Sequence, residues 1–142
     1  MTAAAAIGAP IELALGTVQF GLAYGVIGSG HRVADEEARA ILQAAATQGV
    51  RVLDTAAAYG DIEQRLADLC GATPYSVVSK IAPLPAGCDA KAAARWVRES
   101  VERSCERLDQ RLHALLFHSA DDLLGPHGDV AWAQASACCL GL

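Results

Sequence analysis

The chain has 142 residues, of which 53% are hydrophobic and 19% charged, a formal charge of −5 and a mean hydropathy of +0.27. This describes one domain with enough apolar content for a core, too hydrophobic to be disordered and too acidic to grip a phosphate backbone, which argues against nucleic-acid binding. Five cysteines (Cys70, Cys88, Cys105, Cys138 and Cys139) are odd in number and lack a C-x-x-C spacing, so neither a disulfide framework nor a metal site is expected. Residues 1–10 contain four consecutive alanines without a basic flank and read as an N-terminal tail rather than a leader or membrane span; the expected location is cytoplasmic, with no membrane partner.

Leu13 to Thr17 is a short apolar run that reads as a buried strand, followed by a glycine-rich loop from Gly21 to Gly30. A helix begins with Asp35 as its cap, turns Ala38, Ile41, Leu42 and Ala45 to one face, and stops at Gly49. Val50 to Leu53 is a second strand. Asp61 and Glu63 suit the first turn of a helix that buries Ile62, Leu66 and Leu69 and ends at Gly71 and Pro74. Ser76 to Lys80 is a third strand. After a loop rich in proline and glycine, Asp89 opens the longest helix, with Val97, Val101, Ser104 and Leu108 inside and a Glu99–Arg103 pair outside. Leu112 to Phe117 is a fourth strand, and a fourth helix starts near Asp129.

Strand and helix thus alternate through four units, and the strands do not alternate apolar with polar as a half-exposed antiparallel sheet would. The fold class is α/β, built from parallel (β/α) units. A whole (β/α)8 TIM barrel takes roughly 250 residues, so this chain supplies about half of one. An open doubly wound sheet is the alternative, but the stretch from Gly16 to Gly30 does not read G-x-G-x-x-G against a helix start.

In parallel α/β folds, ligands gather at the carboxyl ends of the strands. Here the four strands end at Thr17, Asp54, Lys80 and His118, and Tyr59 follows Asp54 in the loop on the same rim. Each alone has a bland reading as a cap, a loop side chain or a solvated strand end; their convergence on one rim favours function. A phenol with a pKa of about 10 is a weak acid at neutral pH, and an adjacent ammonium stabilises its phenolate. Lys80 would serve Tyr59 in this way, Asp54 would hold the lysine, and His118 would hydrogen-bond a substrate oxygen. Such a set suits protonation of a carbonyl oxygen as hydride arrives. His31, His113 and His127 carry no such pattern.

Five stretches resemble the aldo-keto reductases: Leu15-Gly-Thr-Val-Gln-Phe-Gly21, Leu53-Asp-Thr-Ala-Ala-Ala-Tyr-Gly60 with Glu63 after it, Val77-Val-Ser-Lys80, Ser100-Val-Glu-Arg-Ser-Cys-Glu-Arg-Leu108 and Leu115-Leu-Phe-His118. The resemblance covers the amino-terminal half of that family. It implies a half-barrel over residues 11–130, NADPH-dependent reduction of an aldehyde or ketone, and no metal. By the same resemblance Tyr59 is the proton donor, Lys80 its neighbour, Asp54 the partner of Lys80 and His118 the group that orients the carbonyl. Gly16 and Thr17, with Asp54, would lie near the nicotinamide end of the cofactor.

In the family, most of the remaining cofactor site sits on later strands, which have no counterpart here. Residues 131–142 instead form an atypical C-terminal tail of small residues. The leading reading is an oxidoreductase of aldo-keto reductase type acting on a small-molecule carbonyl substrate and present as an N-terminal fragment. The alternatives are a non-catalytic half-barrel whose homodimer closes the barrel, and an inactive truncated gene product.

Overall fold

The computed structural model describes residues 12–25 and 30–141. The N-terminal tail over residues 1–10 and part of the glycine-rich loop lie outside the described residues. Four strands, β1 (Ala14–Gly16), β2 (Val52–Asp54), β3 (Ser76–Ile81) and β4 (Ala114–Phe117), form one sheet in the order β1-β2-β3-β4. All three pairings are parallel, with Gly16 beside Asp54, Asp54 beside Val78, and Lys80 beside Leu116. Among the described residues the connections carry six helices: α1 (Val18–Gly21), α2 (Asp35–Thr47), α3 (Ile62–Cys70), α4 (Ala90–Leu108), α5 (Asp121–Leu124) and α6 (Gly128–Gly141).

The long helices form where the apolar spacing placed them, with corrected ends. Ala34, in extended backbone, is the N-cap of α2; Asp35 is its first helical residue, and its carboxylate is drawn off to Arg65 of α3 instead of capping the helix. Asp35, Glu36 and Glu37 still place three carboxylates at the positive end of the helix dipole. Asp89 does cap α4, accepting from the Ala92 amide at 2.7 Å. Glu99 pairs with Arg103 at 3.6 Å along its outer face. Two short helices, α1 and α5, were not expected, because four residues are too few to show a helical period.

The strands also differ in one instructive way. β3 alternates, with Val77, Ser79 and Ile81 buried beneath the helices and Val78 and Lys80 only partly covered on the other side. The expectation of strands buried on both faces presumed a covered second face, whereas all the packing seen here lies on the helix side. That packing falls into two clusters. One joins Phe20, Leu42, Leu53, Ile62, Leu66, Leu69, Tyr75, Val77 and Leu108; the other joins Ile81, Val97, Val101, Ala131 and Ala135. Ala131 and Ala135 lie one turn apart on α6 and seat it against α4, so the stretch of small residues beyond 130 is a packed helix.

Candidate active site

Main-chain hydrogen bonds continue past the ends of the strands and draw the rim together. The amide of Thr17 donates to the Asp54 carbonyl at 3.0 Å, that of Thr55 to Val78 at 2.9 Å, and that of His118 to Ile81 at 3.1 Å. The ends of neighbouring strands are therefore level, and the residues after them share one edge.

Lys80 comes from the uncovered face of β3, one strand away from Asp54. Its ammonium donates to Asp54 Oδ1 and, at 2.9 Å, to the carbonyl of Thr55. The lysine side chain is 15% exposed and the aspartate 40%, so the pair sits at the mouth of the sheet with the cation the more enclosed partner. The same ammonium lies 5.1 Å from the centre of the Tyr59 ring, within the range of a cation–π contact. His118 also meets Tyr59, edge to face, with ring centres 5.7 Å apart and planes at 77°. Side chains from three strand ends, Asp54, Lys80 and His118, thus gather about the one phenol of the loop.

Tyr59 is held by its backbone as much as by its ring. Gly60 has φ +72°, a left-handed turn that glycine adopts freely, and it directs the chain from Tyr59 into α3. Gly21 lies against the tyrosine's main chain so closely that a Cβ there would stand 1.9 Å from the Tyr59 carbonyl oxygen. The end of α1 is therefore the surface on which the Tyr59 turn rests. Arg65 reinforces this joint from α3, donating to the Phe20 carbonyl and to Asp35.

Of the residues assigned to the nicotinamide end, Gly16 faces open space, with no atom within 4 Å of a Cβ built on it. Thr17 is fully buried and its hydroxyl donates to the Asp54 carbonyl at 3.1 Å. That bond fixes the end of β2 from the end of β1.

Behind the rim, buried polar side chains join β3 to α3. Glu63, expected as a first-turn acid and as part of the stretch around Tyr59, is 2% exposed; its Oε1 accepts from Ser79 Oγ at 2.6 Å, and its Oε2 lies 3.5 Å from Arg107. Ser79 precedes Lys80, and Glu63 lies in the first turn of α3, four residues after Tyr59, so this buried link ties the lysine's strand to the helix that follows the tyrosine. The signal available in the sequence was a serine at an inward position of an otherwise apolar strand. Among the described residues no group of three or more His, Cys, Asp or Glu side chains gathers as a metal site, and no helix is long and apolar enough to cross a membrane.

No curated protein matches this chain. Two solved structures of proteins from Pseudomonas aeruginosa, both assigned as aldo-keto reductases, share its fold. The first is 34% identical with a TM-score of 0.70 over 87% of this chain and 49% of its own. The second is 32% identical with a TM-score of 0.67 over 87% of this chain and 48% of its own. The chain thus spans about half the length of these neighbours, and its parallel (β/α) units form half of their barrel. The profile of the aldo/keto reductase family matches residues 12–124, which include every strand and all four rim side chains around Tyr59 and Lys80. With the fold, the sequence match and the spacing of the rim in agreement, the chain belongs to the aldo/keto reductase family.

Proposed function

We propose that this chain carries the proton-transfer centre of an NADPH-dependent aldo-keto reductase that reduces an aldehyde or ketone to an alcohol, with Tyr59 as the proton donor. The observation that carries the reading is the enclosure of one phenol by the Lys80 ammonium at 5.1 Å and the His118 ring at 5.7 Å, with Asp54 holding the lysine. A cytoplasmic location accords with five free cysteines.

The residues present fit the reacting end of a nicotinamide cofactor. Gly16 leaves open space at the end of β1, and Asp54 is half-buried beside it. The chemistry supplied by the bound, reduced nicotinamide is delivery of hydride to the carbonyl carbon. The protein's part is the proton. Tyr59 gives its phenolic proton to the carbonyl oxygen as negative charge develops there, and Lys80 stabilises the phenolate that remains. Asp54 and the Thr55 carbonyl keep the ammonium pointed at that ring instead of at solvent. His118, whose ring packs edge to face with that of Tyr59, hydrogen-bonds the carbonyl oxygen and sets its approach.

The test is made on a protein in which residues 12–124 are joined to a second half-barrel of the family, with turnover of an aldehyde followed by NADPH absorbance. Tyr59→Phe, which keeps the ring and removes the proton, should lower kcat by about 10²–10⁴-fold. An unchanged kcat would remove Tyr59 from the role of acid.

A further inference from the structure

Glu63 is the second residue of α3 and is buried. Its Oε1 accepts from the Ser79 hydroxyl at 2.6 Å, while its Oε2 accepts no hydrogen bond among the described residues and lies 3.5 Å from the half-exposed guanidinium of Arg107. A buried carboxylate is costly unless partners satisfy both of its oxygens. One hydroxyl and one half-solvated cation offset that cost incompletely. On the same helix Ile62, Leu66 and Leu69 are buried in the core without it, so packing α3 against the sheet does not require an acid at position 63.

Successive side chains of a strand point to opposite faces, and on β3 Ser79 is buried beneath the helices while Lys80 lies on the other face. The two share a peptide bond, so a partner that fixes Ser79 also limits where Lys80 can lie. The ammonium's own partners, Asp54 Oδ1 and the Thr55 carbonyl, are both at the end of β2. Tyr59 is not on a strand; its loop runs from the end of β2 to the start of α3. One end of that loop is therefore tied to β3 through Lys80 with Asp54 and Thr55, and the other through Ser79 with Glu63. The 5.1 Å between the ammonium and the centre of the Tyr59 ring is set between these two ties.

We propose that Glu63 is a positioning residue for proton transfer: through Ser79 it fixes β3 against the first turn of α3 and so holds the Lys80 ammonium beside the Tyr59 ring. Its acceptor oxygen at Ser79 does this, not its charge. The geometric part stands on the contacts alone, whereas the effect on turnover rests on the function proposed above.

Lys80 and Lys91 are the two lysines of the chain, so carbon-13 labelling of lysine gives two ε-CH2 signals in the NMR spectrum of the 142-residue chain, and Lys80→Arg identifies which is which. The Tyr59 ring should displace the Lys80 signal, and Tyr59→Leu measures that displacement. Glu63→Ala and Ser79→Ala should each remove most of it, and Glu63→Gln, which keeps the acceptor, should retain it. The proposal is overturned if the parent shows no displacement, if Ser79→Ala leaves it unchanged, or if Glu63→Gln loses it as fully as Glu63→Ala. Ser79→Ala deletes a single oxygen and decides the matter even if Glu63→Ala does not fold. In the joined protein used to test Tyr59, Glu63→Ala and Ser79→Ala should lower kcat by about 10–10²-fold with KM little changed. Glu63→Gln should recover most of that loss, and a loss confined to KM would count against the proposal. If Tyr59→Phe leaves kcat unchanged, the proposed function fails while the lysine signal still decides the positioning.

Discussion

Replacing Gly21 by alanine tests the joint on which Tyr59 rests. Gly21 lies in α1, and its backbone is not in the left-handed region, so alanine brings no conformational strain of its own. What it brings is a methyl group 1.9 Å from the Tyr59 carbonyl oxygen and 3.0 Å from the Ile62 Cβ. Restoring ordinary contact requires the two segments to separate by about 1.5 Å. Both colliding groups are anchored, one in main chain and one in the core, so the cost falls at the upper end of overpacking, about 3 kcal/mol. Two other glycines calibrate it. Gly16→Ala meets nothing within 4 Å and should change stability by less than about 0.5 kcal/mol. Gly49→Ala meets nothing either, but its φ of +84° should cost about 1–2 kcal/mol of strain. Urea unfolding at one fixed protein concentration should place Gly21→Ala about 1–2 M below the parent midpoint, with Gly49→Ala between it and Gly16→Ala. If Gly21→Ala unfolds with Gly16→Ala, the close approach of α1 to the Tyr59 turn is not what holds that turn.

Four further outcomes follow from buried or paired groups. Glu63→Ala strands the Ser79 hydroxyl and should cost about 2–3 kcal/mol, whereas Glu63→Gln keeps an acceptor for it and should cost less; denaturant midpoints of the two decide this. Burial pushes the Cys70 thiol up to about 11, so at pH 8 exposed Cys139 should react with a disulfide reagent well before Cys70. The same raised value means that the fold binds a proton the unfolded chain releases, so stability should fall as pH rises from the ordinary thiol range toward about 11. Asp35 titrates below its ordinary value, chiefly because Arg65 hydrogen-bonds its carboxylate. Its contribution is present above the unfolded carboxylate pKa and lost as pH falls through the lower folded value, and Asp35→Asn should flatten that part of the acid unfolding curve.

The parallel sheet and its rim were legible because each apolar run ends in a polar group and the runs recur at the spacing of (β/α) units. Asp54 and Lys80 meet because adjacent parallel strands end level, a consequence of strand order that the alternation already implied. Other features depend on neighbours the sequence does not display. Asp35 has the chemistry of a cap, but Arg65, 30 positions away, competes for its carboxylate. Glu63 looks like a solvated first-turn acid until α4 brings Arg107 over it. The stretch from Ala131 onward shows no apolar face because alanine and cysteine recur around the whole helix, and only the packing against α4 distinguishes Ala131 and Ala135 from the other alanines.

The division of the core into two clusters bears on how the molecule opens. Leu53 and Val77, which support the strands leading to Asp54 and Lys80, belong with α2 and α3, while Leu115 and Phe117, which lead to His118, belong with α4 and α6. Ile81 and Leu108 show that β3 and α4 contribute to both sides of the divide, each at one end. Amide exchange should therefore report two cooperative units, with α6 and β4 released at lower free energy than β1, β2 and α3. In that partly open form the lysine, aspartate and tyrosine stay assembled and the histidine departs, so the rim would lose His118, the proposed carbonyl-orienting group, before Tyr59, the proposed acid.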